Sequence, residues 1–147
     1  MNKRLLQMIL ILSFTVFLAA GAAAHCEIPC GIYDDEARIA MLLEHVATIE
    51  KSMNQITAIE KEKEHNPNQL VRWVMNKEKH ADELQKIVSQ YFMTQRIKPD
   101  TKAYDKKLAL LHQMLLYAMK CKQTTDLANT AKLTGLIQEF KELYFAK

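Results

Sequence analysis

The stretch from Asp34 to Glu60, DDEARIAMLLEHVATIEKSMNQITAIE, decides the fold. Ile39, Leu42, Leu43, Val46, Ile49, Met53, Ile56 and Ile59 recur in it at three- and four-residue spacing, one apolar stripe down one side of a helix. Asp34 or Asp35 is placed to cap its start, where acids also suit the helix dipole. The stripe dissolves into Glu60-Lys61-Glu62-Lys63-Glu64, a solvated last turn. Such a helix buries only one face, so it needs partners.

The remainder of the chain supplies them. Asn66-Pro67 restarts a helix with Asn as cap and Pro at the first helical position. Its stripe runs through Leu70, Trp73, Val74, Ala81, Leu84, Ile87, Val88, Tyr91 and Phe92, interrupted around Lys77 and His80. Pro99 breaks that pattern, and Asp100 or Thr101 is expected to cap a third helix bearing Tyr104, Leu108, Leu111, Leu115, Ala118 and Met119. Thr124-Thr125-Asp126 offers the last cap, before Leu133, Leu136, Ile137, Phe140, Leu143 and Tyr144. Gly135 weakens that helix by about 1 kcal/mol relative to Ala. Four helices with short connections predict an all-α fold, an antiparallel four-helix bundle over residues 34–147.

Composition agrees. The 147 residues include only three Gly and three Pro, which argues against collagen-like, low-complexity and many-turned all-β chains. A net charge of +3 is too slight to indicate nucleic-acid binding, and three cysteines are too few for a disulfide scaffold.

Residues 1–24 are a different kind of sequence. Lys3 and Arg4 precede an apolar run from Leu5 to Ala20, and Ala22 and Ala24 supply the small pair of a cleavage site. That is the pattern of a secretory signal. The run is slightly short for a spanning helix of ~20 residues, so no stable membrane association is expected after cleavage. Loss of Lys3 and Arg4 leaves 18 basic against 17 acidic residues, a charge of +1. The mature chain is expected to be exported, to the periplasm or the cell exterior, with His25 as its amino terminus.

Residues 25–33, His25-Cys26-Glu27-Ile28-Pro29-Cys30-Gly31-Ile32-Tyr33, carry no helical stripe. A bundle does not need them. A terminal His25 offers an α-amine and an imidazole. The amine and the Cys26 amide nitrogen close one five-membered chelate ring on a metal; that nitrogen and the Cys26 sulfur close a second. Cys30 can reach back to complete a plane, with Pro29 stiffening the turn and Gly31 free to take a positive φ. An N₂S₂ plane with an imidazole above it suits Ni(II) or Cu(II) rather than tetrahedral Zn(II). Thiolates usually reduce Cu(II), so nickel is the better fit, and anionic sulfur and amidate donors also stabilise Ni(III). By spacing alone a Cys26–Cys30 disulfide accounts for the pair equally well, as thiols outside the cytoplasm commonly oxidise. A bridge over so short a loop would stabilise little, and placing His-Cys at the cleavage point favours the metal.

At these residues the chain resembles the nickel superoxide dismutase family. The family's hook, H-C-x-x-P-C-G-x-Y, is matched by His25, Cys26, Pro29, Cys30, Gly31 and Tyr33. In outline the resemblance extends over the bundle and includes Tyr91-Phe92. It implies disproportionation of superoxide to dioxygen and hydrogen peroxide at one nickel ion per subunit, alternating between Ni(II) and Ni(III). It implies as ligands the His25 amine and imidazole, the Cys26 amide and thiolate, and the Cys30 thiolate. Tyr33 and Tyr91 would stand near the open face of the metal without ligating it. A homohexamer of four-helix bundles is implied as well.

The chain departs from the pattern in two places. Ala40 stands where a Glu orients the axial His in the best-known members, with Glu44 one turn further along. His80 stands where an Arg supports that Glu, so the support of the axial imidazole differs here. His45, His65 and His112 are scattered singly and read as surface or core residues, and Cys121 as a free or packed thiol. Two other functions use the same residues: a non-catalytic metal-binding or delivery bundle, and a structural bundle with a Cys26–Cys30 disulfide. Bound nickel excludes the last, and catalytic loss of superoxide excludes the former.

Overall fold

Three of the four expected caps form as side-chain hydrogen bonds in a computed structural model of the chain, which describes residues 3–8, 31–64 and 66–146. His25, Cys26, Cys30 and His65 lie outside the described residues, as does most of the expected leader. Helix α1 spans Asp35–Glu60, and Asp34 caps it by accepting from the Ala37 amide at 2.9 Å. Helix α2 spans Pro67–Lys86 behind the Asn66 cap, which accepts from the Gln69 amide at 3.2 Å. Helix α4 spans Leu127–Phe145, with Asp126 accepting from the Ala128 amide at 2.9 Å. Gly135 lies inside it without breaking it.

Helix α3, Tyr104–Gln123, departs from expectation. Neither Asp100 nor Thr101 caps it: the N-cap is Ala103, in the left-handed region at φ 57°, with no side-chain cap bond. The Thr101 hydroxyl instead accepts from the Lys98 amide at 3.0 Å, closing the loop around Pro99.

The second long helix also changes character. From Ile87 to Arg96 it winds as a π-helix, continuous with α2. The Ile97 amide donates to the Phe92 carbonyl, five residues back, at 2.9 Å. Thr94 Oγ1 and Gln95 Nε2 donate to the carbonyls of Ser89 and Gln90 with the same offset. An i→i+5 ladder brings residues five apart onto one face, which an α-helix does not.

Cross-helix contacts give the topology. Along α1 and the second helix, Ser52 meets Asn76, His45 meets His80, and Asp35 meets Tyr91 and Arg96, so the two run antiparallel. Lys77 reaches the carbonyls of Cys121 and Lys122, and Gln85 that of Leu115, which sets α3 antiparallel to α2. Lys107 lies over the Tyr144 ring and Lys106 pairs with Glu139, reversing the direction again for α4. α4 packs back on α1 and closes a four-helix ring. Its core holds Ile39, Leu42, Val46, Ile49 and Met53 of α1 with Leu84, Val88, Phe92, Leu111, Met114, Leu133, Ile137 and Phe140.

Lys77, an interruption in the sequence pattern, is buried: its ammonium caps the carboxyl end of α3 and pairs with Glu78 at 3.3 Å. A cation suits that end of the helix dipole. Cys121 is a buried free thiol beside it, its pKa pushed up to about 11 by burial against the opposing charge of Lys77. Among the described residues no helix is long and apolar enough to cross a membrane.

The chain divides into two units, Met1–Tyr33 and Asp34–Lys147. In the first, residues 3–8 are helical and Gly31 has φ 78°, the left-handed conformation that glycine adopts without steric cost. Ile32 is 83% exposed and Tyr33 is exposed as well.

Candidate functional site

The amino-terminal end of α1, where the chain enters the bundle from residues 25–33, is held by one carboxylate. Asp35 Oδ1 accepts from the Tyr91 hydroxyl at 2.6 Å and from Arg96 Nε at 2.9 Å. Asp35 Oδ2 accepts from Arg96 Nη2 at 2.7 Å and from the Tyr144 hydroxyl at 2.8 Å. The guanidinium grips the carboxylate through two parallel bonds, the strongest geometry open to such a pair. Two phenols complete four donors on two oxygens.

Each element contributes for a local reason. The π-helical winding puts Tyr91 and Arg96, five apart, on one face, so both reach Asp35. Tyr144 comes from the last turn of α4 and is anchored by rings: Phe92, Phe140 and Tyr144 lie within 5.1–5.6 Å of one another. Tyr91 packs edge-on to Phe92 at 5.0 Å, and the Arg38 guanidinium stands 5.0 Å over its other surroundings, the ring face. The aromatic knot buries the phenol bodies while their tips meet at the carboxylate.

The electrostatics follow. Burial alone would raise the Asp35 pKa, but hydrogen bonds from Arg96, Tyr91 and Tyr144 and the Arg96 charge together hold it below the ordinary carboxylate value. Burial, then the bond to Asp35 and its charge, pushes the Tyr91 phenol well above the ordinary tyrosine range. Tyr144 moves in the same direction for the same causes. The Asp35 bond raises Arg96 further. The network is therefore one anion, one cation and two neutral phenols at any physiological pH.

Family resemblance expected Tyr91 near the metal; the sequence showed Asp35 only as a cap and Tyr144 only as part of an apolar stripe, and gave no role to Arg96. Their contacts join residues 56, 61 and 109 apart in the chain. No local spacing signals them.

A second polar group lies deeper along α1 and α2. His45, read as solitary, meets His80, with Nδ1 atoms 2.9 Å apart and ring centroids 5.1 Å apart. One imidazole must donate and the other accept. Burial, and next the neighbouring His80, lowers the His45 pKa, against the opposing pull of Glu83 and Glu44. His45 Nε2 is buried without a hydrogen-bond partner. Glu44 itself is exposed, as are Ala40 and His112.

Among the described residues no three His, Cys, Asp or Glu side chains stand together as metal ligands. The nickel ligands expected from the sequence, His25, Cys26 and Cys30, lie outside the described residues. Comparison with known proteins bears on that set. The family model for nickel-containing superoxide dismutase matches residues 20–147, a range that includes the whole of residues 25–33. No curated protein and no solved structure matches.

Proposed function

The chain belongs to the nickel-containing superoxide dismutase family, and on that premise we propose that His25, Cys26 and Cys30 hold its nickel as the mature amino terminus. The enzyme is an oxidoreductase with superoxide as substrate and nickel as cofactor. Bound nickel supplies the one-electron exchange by which two superoxide anions and two protons become dioxygen and hydrogen peroxide.

The chain's own residues do the rest. The His25 amine and imidazole, the Cys26 amide and thiolate and the Cys30 thiolate form the donor set. Gly31, at φ 78°, turns the chain directly behind Cys30. Tyr33 and Tyr91, which the family resemblance associates with the metal without making them ligands, would position water and the small anion. Glu44 and His80 are the candidates that would support the His25 imidazole, and His80 brings His45 with it.

The reading requires removal of residues 1–24 as an export signal, because only a free His25 amine can chelate. The same reading puts the enzyme in the periplasm or outside the cell. Assembly as a homohexamer belongs to the reading too, on family resemblance. The observation that carries it is an A-x-A site directly before His25-Cys26, inside the family match.

The test is metal loading of residues 25–147 under reducing conditions. One nickel per chain and a nickel-dependent rate of superoxide loss are expected, with no comparable rate from the metal-free protein. Nickel bound without catalysis would favour a delivery role. In the chain isolated without reductant, a mass two hydrogens light with no bound nickel would point to the Cys26–Cys30 disulfide.

A further inference from the structure

We propose that the end of the second helix is a two-register element: Ile87–Arg96 has an α and a π winding open to it, and the grip of Asp35 on Tyr91 and Arg96 is the latch that holds it in π. The inference lies wholly within the bundle and stands apart from the metal site. It makes one carboxylate at the start of α1 the switch for a neighbouring helix.

A π-helix is rare and is mostly a single turn set into an α-helix, so a run of ten residues needs something to hold it. The side chains show the change of winding. Thr48, Ser52 and Thr134, in α-helices, each donate to the carbonyl four residues back. Thr94 donates instead to that of Ser89, five back, at 2.8 Å. What the wider turn gains lies outside the helix. In α winding, at ~3.6 residues per turn, a residue five places on stands about 140° around the helix. Arg96 would then face away from the side on which Tyr91 meets Asp35, and only one of the two could keep its bond. In π winding both keep theirs: Tyr91 donates to Oδ1 at 2.6 Å, and Arg96 to Oδ1 and Oδ2 at 2.9 and 2.7 Å. Tyr144 of α4 donates to Oδ2 at 2.8 Å and steadies the carboxylate from a third helix. Two hydrogen-bond ladders open to one segment, with a partner that fits one of them, make a bistable element. Loss of the Asp35 grip therefore shifts the segment toward α, and the Lys98–Thr101 turn and the Ala103 start of α3 move with it.

The experiment reads the ladder directly, through nuclear magnetic resonance couplings across hydrogen bonds in metal-free residues 25–147. In the wild type the Ile97 amide is expected to couple to the Phe92 carbonyl, as their 2.9 Å bond requires. In Arg96→Gln, which removes the two-pronged grip, that coupling should give way to one from Ile97 to the Met93 carbonyl, four back. Asp35→Asn, which keeps the side-chain shape and loses the charge, should do the same. If both variants fold and keep the Ile97–Phe92 coupling undiminished, the proposal is overturned, and the burial of Phe92 and Ile97 is left to hold the winding. Should neither variant fold, deletion of the exposed Thr94 decides. It leaves Tyr91 and Arg96 four positions apart, so an α-helix can present both to Asp35. The shortened chain is expected to show α couplings to the end of the helix and to melt no lower than the wild type. A deletion that unfolds the chain, or that leaves the five-residue couplings in place, would contradict the proposal.

Discussion

At the scale of single residues, chemistry divides the three cysteines. Cys26 and Cys30 sit in a segment with amine, amide and imidazole donors, whereas Cys121 is buried in the bundle with its thiol held protonated. Cys26→Ser and Cys30→Ser are each expected to abolish nickel retention on dialysis, and Cys121→Ser to leave it intact. The histidines divide too. His45 has a folded pKa below its unfolded value near 6.5, so the unfolded chain binds more protons between the two. Its contribution to stability is therefore complete above about pH 6.5 and is lost as pH falls through the folded value. The urea midpoint should drop between pH 7 and pH 5 in the wild type and drop less in His45→Gln. Asp35, also held below its ordinary value, loses its contribution only at lower pH, beneath about 4.

At the scale of elements, the caps and stripes were legible because they are local. Asp34, Asn66 and Asp126 each cap the helix that follows, and truncating Asp126 to Ala should cost about 1 kcal/mol in chemical denaturation. The start of α3 was misread since Asp100 and Thr101 lie in the turn before it, and Ala103 takes the left-handed cap position instead. A β-carbon there carries strain, so Ala103→Gly is expected to stabilise the fold by up to about 1 kcal/mol, net of glycine's greater chain entropy. The change to π winding at Ile87 was not legible at all. The apolar residues Ile87, Val88, Tyr91 and Phe92 suit an α stripe equally, and only the offsets at Ser89, Gln90 and Phe92 reveal the wider turn. That winding is what aligns Arg96 with Tyr91, so the sequence reading could name the tyrosine and not its partner.

At the scale of the molecule, an antiparallel ring of four helices brings the start of α1, the end of the second helix and the end of α4 to one place. The bundle was predictable from apolar periodicity, since any arrangement that buries four stripes must stack them. The family was legible for another reason: its motif, from His25 to Tyr33, is contiguous in sequence and needs no fold to be seen. The Asp35 network and the His45–His80 pair were hidden because each depends on the register between helices, which no single stripe encodes. Lys77 shows the same limit: a charge inside a stripe looked like an interruption, and it is a buried cap for a neighbouring helix.

The central claim is that a free His25 amine is a ligand. It is tested most directly by adding one residue before His25 and measuring nickel affinity and superoxide loss beside residues 25–147. The extension turns the amine into an amide and leaves every other side chain in place. The account predicts that nickel affinity and catalysis both collapse in the extended chain, while helix content and melting temperature stay unchanged. Full activity in the extended chain would contradict it.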